Sequence, residues 1–176
     1  MSDLRRLIAT AGGPREARVE MLRFVDAHPD ALLRTCLEGH LTASAAVLGR
    51  ERGAALLVLH RKLQRWLQPG GHADGDGDLA RVALRESVEE TGIAGLEVFG
   101  TAIDTDVHEI PARADEPAHL HLDVRFLVFA PPGSEPVLND EVDAFAWVTA
   151  DALDDEALAL DDSTKRLLRA AFAVLT

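Results

Sequence analysis

The amino-acid sequence predicts an α/β (α+β) domain with a mixed sheet and an N-terminal helical extension. Three observations predict this fold class. Strand-like apolar runs are interleaved with segments of helical composition. The chain has 176 residues, 47% of them hydrophobic, which suits one domain with a proper core. The strand-like runs begin only at Leu41, so we expect a helical extension at residues 1–38 and a domain at 39–176.

The predicted extension contains two helices. The first, SDLRRLIAT, ends before Gly12 and Gly13. The second, PREARVEMLRFVDAHP, starts at Pro14 and stops before Pro29. A shorter piece, DALLRTCL, completes this helical cap. The second helix has a loosely apolar side, which either covers the core of the domain or forms a homodimer.

The predicted domain opens with two strands, LTASAAVL and AALLVLH, separated by GRERG in a hairpin. A short strand, RWLQPGG, ends at a Pro-Gly-Gly turn. Three later strands are predicted at 96–103, 120–130 and around 145–148, with a last helix at 162–175. Between two of these strands lies DTDVHEIPARADEPAH, which is polar and predicts a long functional loop.

Composition limits the class of protein. The formal net charge of −12 argues against binding nucleic acid through its phosphates. A small phosphorylated substrate is compatible with this charge, because one metal site can invert the local potential. Cys36 is the only cysteine, which excludes an intrachain disulfide, and no stretch approaches the roughly 18 apolar residues of a membrane span. We expect a soluble, cytoplasmic protein without a membrane partner.

The stretch PGGHADGDGDLARVALRESVEETGI concentrates acidic residues. Asp74, Asp76 and Asp78 have the spacing of the first three ligands of an EF-hand loop. That loop needs glycine at its sixth position and glutamate at its twelfth, and here those positions hold Leu79 and Arg85. We therefore reject a calcium-binding loop.

The second half of this stretch predicts a helix over 79–91. Asp78 occupies an N-cap position and Gly92 the C′ position. At about 100° per residue, three apolar side chains form a row that is predicted to face the core. The row consists of Ala80, Leu84 and Val88.

Three glutamates, Glu86, Glu89 and Glu90, fall together on the opposite side of this helix. Like charges at these spacings cost about 0.2–0.5 kcal/mol per pair, and the helix dipole disfavours anions near the C-terminal end. One arginine, Arg85, cannot neutralise three carboxylates. A solvated helix face gives no reason for such a cluster, whereas a divalent cation does, because Mg²⁺ takes carboxylate oxygens.

The segment from Gly71 to Ile93 resembles the Nudix box, whose pattern is G-x5-E-x7-R-E-U-x-E-E-x-G-U, with U apolar. Seven positions match the pattern: Gly71, Arg85, Glu86, Glu89, Glu90, Gly92 and Ile93. Two positions depart from it, because Gly77 replaces the first glutamate and Ser87 replaces an apolar residue. In the family that glutamate supports the geometry of the box, and Asp76 or Asp78 are the residues that could partly substitute here.

The resemblance implies the Nudix α/β/α sandwich and hydrolysis of a diphosphate bond in a nucleoside diphosphate linked to another group. It implies Mg²⁺ or Mn²⁺ as cofactor, held by Glu86 and Glu90 with Glu89 close by. Gly70 and its glycine neighbour let the backbone approach the metal, and family members often offer a carbonyl there. Arg85 would orient the glutamates through ion pairs. Without a metal such a pocket would repel a diphosphate.

Two residues are candidates for the general base. Glu89 can reach an attacking water from the helix. Glu141, in LNDEVDAF, is the second, since Nudix enzymes often recruit an acid from a later loop; a solvated loop acid is the alternative for this residue.

The histidines near the polar insertion have several interpretations. His119 and His121 alternate on a predicted strand and so share one face. With Arg113 and Arg125 they are expected to line the mouth of the substrate pocket. They could also be ordinary surface histidines, or bind zinc together with His108.

Two function classes remain at this stage. The first is a metal-dependent Nudix pyrophosphohydrolase acting on a small nucleotide derivative. The second is a catalytically weak Nudix-fold module that binds a nucleotide or nucleotide sugar as a sensor. Gly77 favours the sensor, and the intact cluster of Arg85 and three glutamates favours the enzyme.

Overall fold

The computed structural model describes residues 2–113 and 116–175. This part of the chain contains four α-helices and seven strands, with two short 3-10 turns, Ala150–Ala152 and Glu156–Leu158, between the last strand and the last helix. The helices are α1 (Ser2–Thr10), α2 (Arg15–Ala27), α3 (Leu79–Thr91) and α4 (Asp162–Ala173). The strands are β1 (Gly39–Gly49), β2 (Ala54–His60), β3 (Arg65–Leu67), β4 (Gly70–His72), β5 (Glu97–Ile110), β6 (His119–Ala130) and β7 (Val142–Thr149).

The seven strands form one mixed sheet, in which five strands lie in the order β3-β2-β1-β6-β5. The remaining two strands lie beside this path, because β4 pairs with β1 and β7 pairs with β2. β1 and β6 are parallel and the other pairs are antiparallel. β1 is buried along its whole length. Its residues are therefore mostly small or apolar and do not alternate between polar and apolar.

Helices cover both faces of the sheet, so the predicted α/β/α sandwich is confirmed. One core lies between the sheet and α1, α2 and α3, and it includes Leu41, Val124 and Val82. A second core lies between the opposite face and α4, and it includes Leu48 and Leu167.

The N-terminal helices pack against the domain. Ile8 of α1 and Met21 of α2 are fully buried in the first core, and the N–H of Gly12 donates to the carbonyl of Ala102 in β5 at 3.0 Å. The apolar side of α2 therefore covers the core within the chain. The piece DALLRTCL, which was expected to complete the helical cap, forms turns.

The long polar insertion is the main difference from the predicted fold. About half of it is strand, because β5 continues to Ile110 and its part from Asp104 onward pairs residue by residue with β6. Alternate residues Asp104, Asp106 and His108 pair with Arg125, Asp123 and His121 of β6. These side chains meet other polar groups instead of an apolar core, so the segment lacks the apolar alternation by which a strand is recognised.

Candidate active site

Helix α3 has the boundaries that the sequence predicts. The carboxylate of Asp78 accepts a hydrogen bond from the N–H of Arg81, and Gly92 ends the helix with a left-handed φ of 68°. The predicted apolar row is displaced, because Val88 is 39% exposed. The buried residues of the helix are Leu79, Val82, Ala83, Ser87 and Thr91. With this side of the helix buried, Glu86 and Glu90 lie against the glycines of β4, whereas Glu89 remains 59% exposed.

Strand β4 brings the backbone close to this helix. A Cβ atom on Gly71 would collide with the carboxyl group of Glu86, so only glycine permits this approach. In an antiparallel pair, successive residues point their backbone groups to opposite edges. Pro69 and Ala73 are hydrogen-bonded to β1, so the N–H and carbonyl of Gly70 face the opposite edge, toward α3.

Arg85 pairs with two of the glutamates. Its Nη2 atom lies 2.8 Å from Oε1 of Glu86, and its Nη1 atom lies 3.4 Å from Oε2 of Glu89. Nη2 also donates to the carbonyl of His72 at 3.2 Å. Arg85 thus connects the helix to the end of β4 and restrains the Glu86 and Glu89 carboxylates.

Glu90 is the third glutamate of the cluster, and one of its carboxylate oxygens, Oε2, is buried with no hydrogen-bond partner in the described residues. Burial, together with the nearby carboxylate of Glu86, raises the pKa of Glu90 to about 8, although the backbone N–H of Gly70 opposes this shift. Burial also raises the pKa of Glu86. The protein alone therefore stabilises the charges of these two carboxylates poorly.

The three glutamates line a cleft of about 310 Å³ whose other wall is a later loop. That loop contributes Asn139, Asp140 and Glu141. The structure thus brings Glu141 together with the glutamates of the helix, although the two segments lie about fifty residues apart in the chain.

Asn139 holds this loop in place, and sequence reasoning missed it. Its Nδ2 donates to the carbonyls of Glu89 and Glu90 at 3.0 and 2.9 Å, so it caps the C-terminal end of α3. Its Oδ1 accepts from the N–H groups of Glu141 and Val142 at 2.8 and 3.1 Å. Because its partners on α3 are remote in sequence, no local pattern identifies the role.

The acidic residues of the loop before α3 form their ion pairs and hydrogen bonds away from the cleft. Asp74 forms a two-point ion pair with Arg34, with both contacts at 2.6 Å. Asp76 accepts from the N–H of Asp78 and pairs with Arg81 at 2.7 Å. Neither Asp76 nor Asp78 lines the cleft, so neither occupies the place of the missing glutamate among the residues that do.

The two departures from the box have different structural contexts. Ser87 is fully buried and donates to the carbonyl of Ala83 at 2.7 Å, so its hydroxyl is satisfied within the helix. Gly77 is exposed, and a Cβ atom there would meet only Leu32, at 3.9 Å. A side chain at position 77 therefore has room.

Arg125 differs from its predicted place at the mouth of the pocket. It is 3% exposed and lies in a buried ion-pair network that consists of Asp104, Asp106, Asp123, Arg125 and Arg166. Its Nε lies 2.8 Å from Asp123, and its Nη1 donates to Ser163 of α4 at 2.6 Å. Nε and Nη1 donate to protein groups and Nη2 lies 3.3 Å from Asp106, so the structure places Arg125 in this network instead of at the mouth of the pocket.

The other residues predicted to contact substrate also lie apart from the cleft of the three glutamates. Arg113 is exposed and forms an isolated antiparallel bridge with Glu116. His119 and His121 lie side by side with His40, at ring-centroid distances of 4.9 to 5.2 Å. None of these residues lines the cleft of the three glutamates.

Comparisons with known proteins agree with this architecture. The family model described as NUDIX domain matches residues 39–171. A C. elegans Ap4A hydrolase binary complex is 21% identical, with a TM-score of 0.61 over 77% of this chain and 96% of that chain. The E. coli dihydroneopterin triphosphate pyrophosphohydrolase is 18% identical, with a TM-score of 0.58 over 76% and 92%. A UDP-X diphosphatase is 18% identical, with a TM-score of 0.54 over 91% and 77%.

The chain belongs to the NUDIX domain family, since the family model covers most of its length. The predicted enzyme class, a hydrolase acting on diphosphate bonds, is thereby confirmed at the level of the family. The solved structures are under 25% identical and show the shared fold. No curated protein matches the chain by sequence at a significant level. Among the described residues, no helix combines the length and apolarity that crossing a membrane requires.

Proposed function

We propose that the protein hydrolyses a diphosphate bond in a nucleoside diphosphate linked to another group, with Mg²⁺ or Mn²⁺ as cofactor. The observation that carries this proposal is the unpartnered, buried Oε2 of Glu90 at the edge of a cleft lined by carboxylates. A buried carboxylate without a partner is costly, and the cost falls when a cation is bound.

The residues of the cleft fit a hard divalent cation. Such ions prefer carboxylate and carbonyl oxygens, which Glu86, Glu90 and the backbone of Gly70 offer. We assign these three residues to the metal, with Glu89 close by. When bound, the cation supplies the positive charge that lets a diphosphate approach the carboxylates and offsets charge on the departing phosphate.

The remaining residues are assigned either to positioning the glutamates or to accepting a proton. Arg85 restrains Glu86 and Glu89, so it acts as a positioning residue. Glu89 is 59% exposed and holds Arg85 only at 3.4 Å, so its carboxylate can turn toward an attacking water and accept a proton. Glu141 is the alternative base, because Asn139 fixes its backbone at the rim of the same cleft.

For the substrate, we propose a chemical class and not a particular compound. The names of the similar structures specify Ap4A, dihydroneopterin triphosphate and UDP-X, which suggests a phosphorylated nucleotide derivative for this chain also. Arg113 is exposed and remains a proposed contact for the charged groups of the substrate. With a formal net charge of −12, the chain favours a small substrate over a nucleic acid.

A substrate screen tests the proposal. The protein is incubated with Mg²⁺ or Mn²⁺ and nucleoside triphosphates, nucleotide sugars, ADP-ribose or dinucleoside polyphosphates, and the products are measured. We expect metal-dependent turnover that Glu90→Gln loses and that Glu97→Gln, an exposed glutamate of β5, keeps. Turnover that Glu90→Gln retains in full would overturn the site assignment.

Gly77 is the observation that favours a second candidate, a catalytically weak nucleotide sensor. Its signature in the same screen is binding without turnover. Calorimetric titration of the panel with the wild type distinguishes the two functions, because a sensor retains its ligand unchanged after long incubation with metal.

A further inference from the structure

Five of the seven histidines of the chain lie together in one cluster, here called the histidine cluster: His40, His72, His108, His119 and His121. The sheet register produces it. His40 of β1 lies opposite His121 of β6, and His121 lies opposite His108 of β5. β4 adds His72, whose ring centroid is 5.0 Å from that of His40 and also from that of His121.

We propose that His40, His119 and His121 bind a zinc ion, at a site separate from the carboxylate cleft. One ligand nitrogen from each ring lies within 4.8 Å of the other two. Nitrogens that share one tetrahedral zinc lie about 3.3 Å apart, since each Zn–N bond is about 2.0–2.1 Å. To share one ion, these nitrogens need to approach one another by at most about 1.5 Å.

The centre of the cluster lacks hydrogen-bond partners. His40 is 2% exposed, and neither of its ring nitrogens has a partner of hydrogen-bond geometry among the described residues. The Cys36 carbonyl lies near the ring but without hydrogen-bond geometry. A buried polar group without a partner costs free energy, so folding alone gives no reason for a histidine at this position. A bound metal ion would satisfy it.

A histidine binds a metal ion as the neutral ring, through a nitrogen that carries a free lone pair. His121 lies against four other rings of the cluster, at centroid distances of 5.0 to 5.6 Å. The Nδ1 of His119 lies 2.9 Å from the Pro117 carbonyl, to which a proton on Nδ1 can donate, leaving Nε2 unprotonated. Metal-binding histidines commonly have such an outer partner.

The surroundings offer negative charge to balance the ion. Oε1 of Glu116 lies 3.8 Å from Nε2 of His119, close enough for it to act as a further ligand after a small movement. Asp106 lies 2.9 Å from Nδ1 of His108 at the other end of the cluster. The neighbouring ion-pair network has three carboxylates and two guanidinium groups, so its net charge is also negative.

The site differs in chemistry from the cleft of the three glutamates. Imidazole nitrogen suits zinc and other transition ions, whereas carboxylate oxygen suits Mg²⁺ and Mn²⁺. The two sites are nevertheless neighbours, because His72 follows Gly71, against which Glu86 packs. Zinc in the histidine cluster would therefore fasten β1 and β6 together next to the strand that carries the glycines of the box.

Zinc content tests the proposal without reference to activity. The full chain, freed of any affinity tag, is saturated with Zn²⁺, dialysed and analysed by mass spectrometry for zinc per chain. We expect one retained zinc in the wild type and in His60→Gln, a histidine outside the cluster. We expect its loss in His121→Gln and in His40→Gln, with affinity weakened by more than the roughly 10- to 100-fold that loss of an outer partner costs.

Two further variants exclude other zinc sites. Glu90→Gln removes a carboxylate of the cleft, and Cys36→Ser removes the thiol that lies 3.7 Å from Nδ1 of His28. Both should keep the zinc. Circular dichroism without zinc verifies that each variant is folded, and His119→Gln serves as the second ligand variant if His40→Gln unfolds. Zinc should also raise the melting temperature of the wild type and leave that of His121→Gln unchanged.

A wild-type zinc content no higher than that of His121→Gln overturns the proposal. If His121→Gln then also has a raised KM, the histidines are assigned to substrate instead. Because none of the zinc measurements uses a substrate, their failure is distinguishable from failure of the proposed hydrolysis.

Discussion

Two groups of three carboxylates lie in this molecule, and their surroundings treat them in opposite ways. In the ion-pair network, Asp104, Asp106 and Asp123 are held by Arg125 and Arg166. In the cleft, Arg85 alone pairs with Glu86 and Glu89, and an oxygen of Glu90 has no partner in the described structure. Each carboxylate of the network pairs with at least one guanidinium group, whereas the cleft holds a buried carboxylate oxygen that a bound cation would pair.

The pKa values record the same contrast. Burial by itself raises the pKa of Asp106, but the hydrogen bond with His108 and the charge of Arg125 outweigh it and hold that pKa well below its usual range. In the cleft, burial and the neighbouring Glu86 act in one direction and raise the pKa of Glu90. Acidic residues in equal number can thus stabilise a fold or form a binding site, depending on the cations that the chain supplies.

Removal of Arg125 should have the largest effect on stability. Arg125→Met leaves buried carboxylates unpaired, so we expect the free energy of unfolding to fall by about 3–5 kcal/mol. Urea denaturation measures the change. Arg169→Met is the matched control, because Arg169 forms an exposed ion pair with Asp154 and should matter little. Equal stability of the two variants would contradict the structural role of the network.

Removal of the Glu90 charge should affect activity and spare the fold. Glu90→Gln should lower metal-dependent hydrolysis at least about 100-fold, or about 2.7 kcal/mol of barrier. Its unfolding free energy without metal should not fall, because a costly buried charge has been removed. Initial rates with Mg²⁺ and urea denaturation with chelator give the two values. A destabilised but active variant would reverse the comparison between the two groups.

The dependence of stability on pH should have opposite signs in the two groups. A carboxyl whose pKa is raised to about 8 in the folded state binds its proton more tightly there, so stability falls as pH rises from about 4.5 to 8. This contribution is at most about 1.4 kcal/mol per pH unit and is absent from Glu90→Gln. Asp106, with a lowered pKa, loses its contribution below the ordinary aspartate value of about 3.9.

Thermal melts of the wild type and Glu90→Gln from pH 5 to 8, with chelator present, measure the difference directly. Ionisable groups other than Glu90 are present in both proteins, so their contributions cancel in the comparison. Parallel curves would mean that Glu90 is ionised in the metal-free protein. Addition of Mn²⁺ should raise the wild-type melting temperature most at pH 8, where the unpaired charge is greatest.

Loss of Asn139 should have an intermediate effect. Asn139→Ala removes the hydrogen bonds that fix the loop of Glu141 to the end of α3, so we expect a fall in kcat of about tenfold, or about 1.4 kcal/mol. Leu138→Ala, a neighbour that is 60% exposed, is the control. Steady-state kinetics decide the matter, and an unchanged kcat would separate the loop from catalysis.

Restoring the glutamate of the box should have the smallest effect. Gly77→Glu has room for its side chain and should raise activity or metal affinity by a few-fold, or below about 1 kcal/mol. Gly77→Gln is the uncharged control. Metal titrations of initial rate compare the three proteins. If neither activity nor affinity changes, the cleft does not need the missing carboxylate.

The elements that the sequence predicts well carry local signals. The bounds of α3 follow from Asp78 and Gly92, whose roles depend only on their neighbours in the chain. The second half of β5, beyond Ile103, was missed, since its polar residues face Arg125 and the histidines of β6, which lie farther along the chain. The burial side of α3 was misjudged because ideal periodicity does not specify which neighbour the helix packs against.

By itself, the sequence determined the family box, the fold class and the three glutamates, because these depend on residue types at fixed short spacing. The tertiary structure alone decided which cations meet which carboxylates. It placed Arg125 in a buried network, left an oxygen of Glu90 unpartnered, attached Asn139 to the end of α3 and gathered five histidines on neighbouring strands. The reason is physical: electrostatic energy depends on distance and burial, and strand pairing brings together residues that no sequence spacing connects.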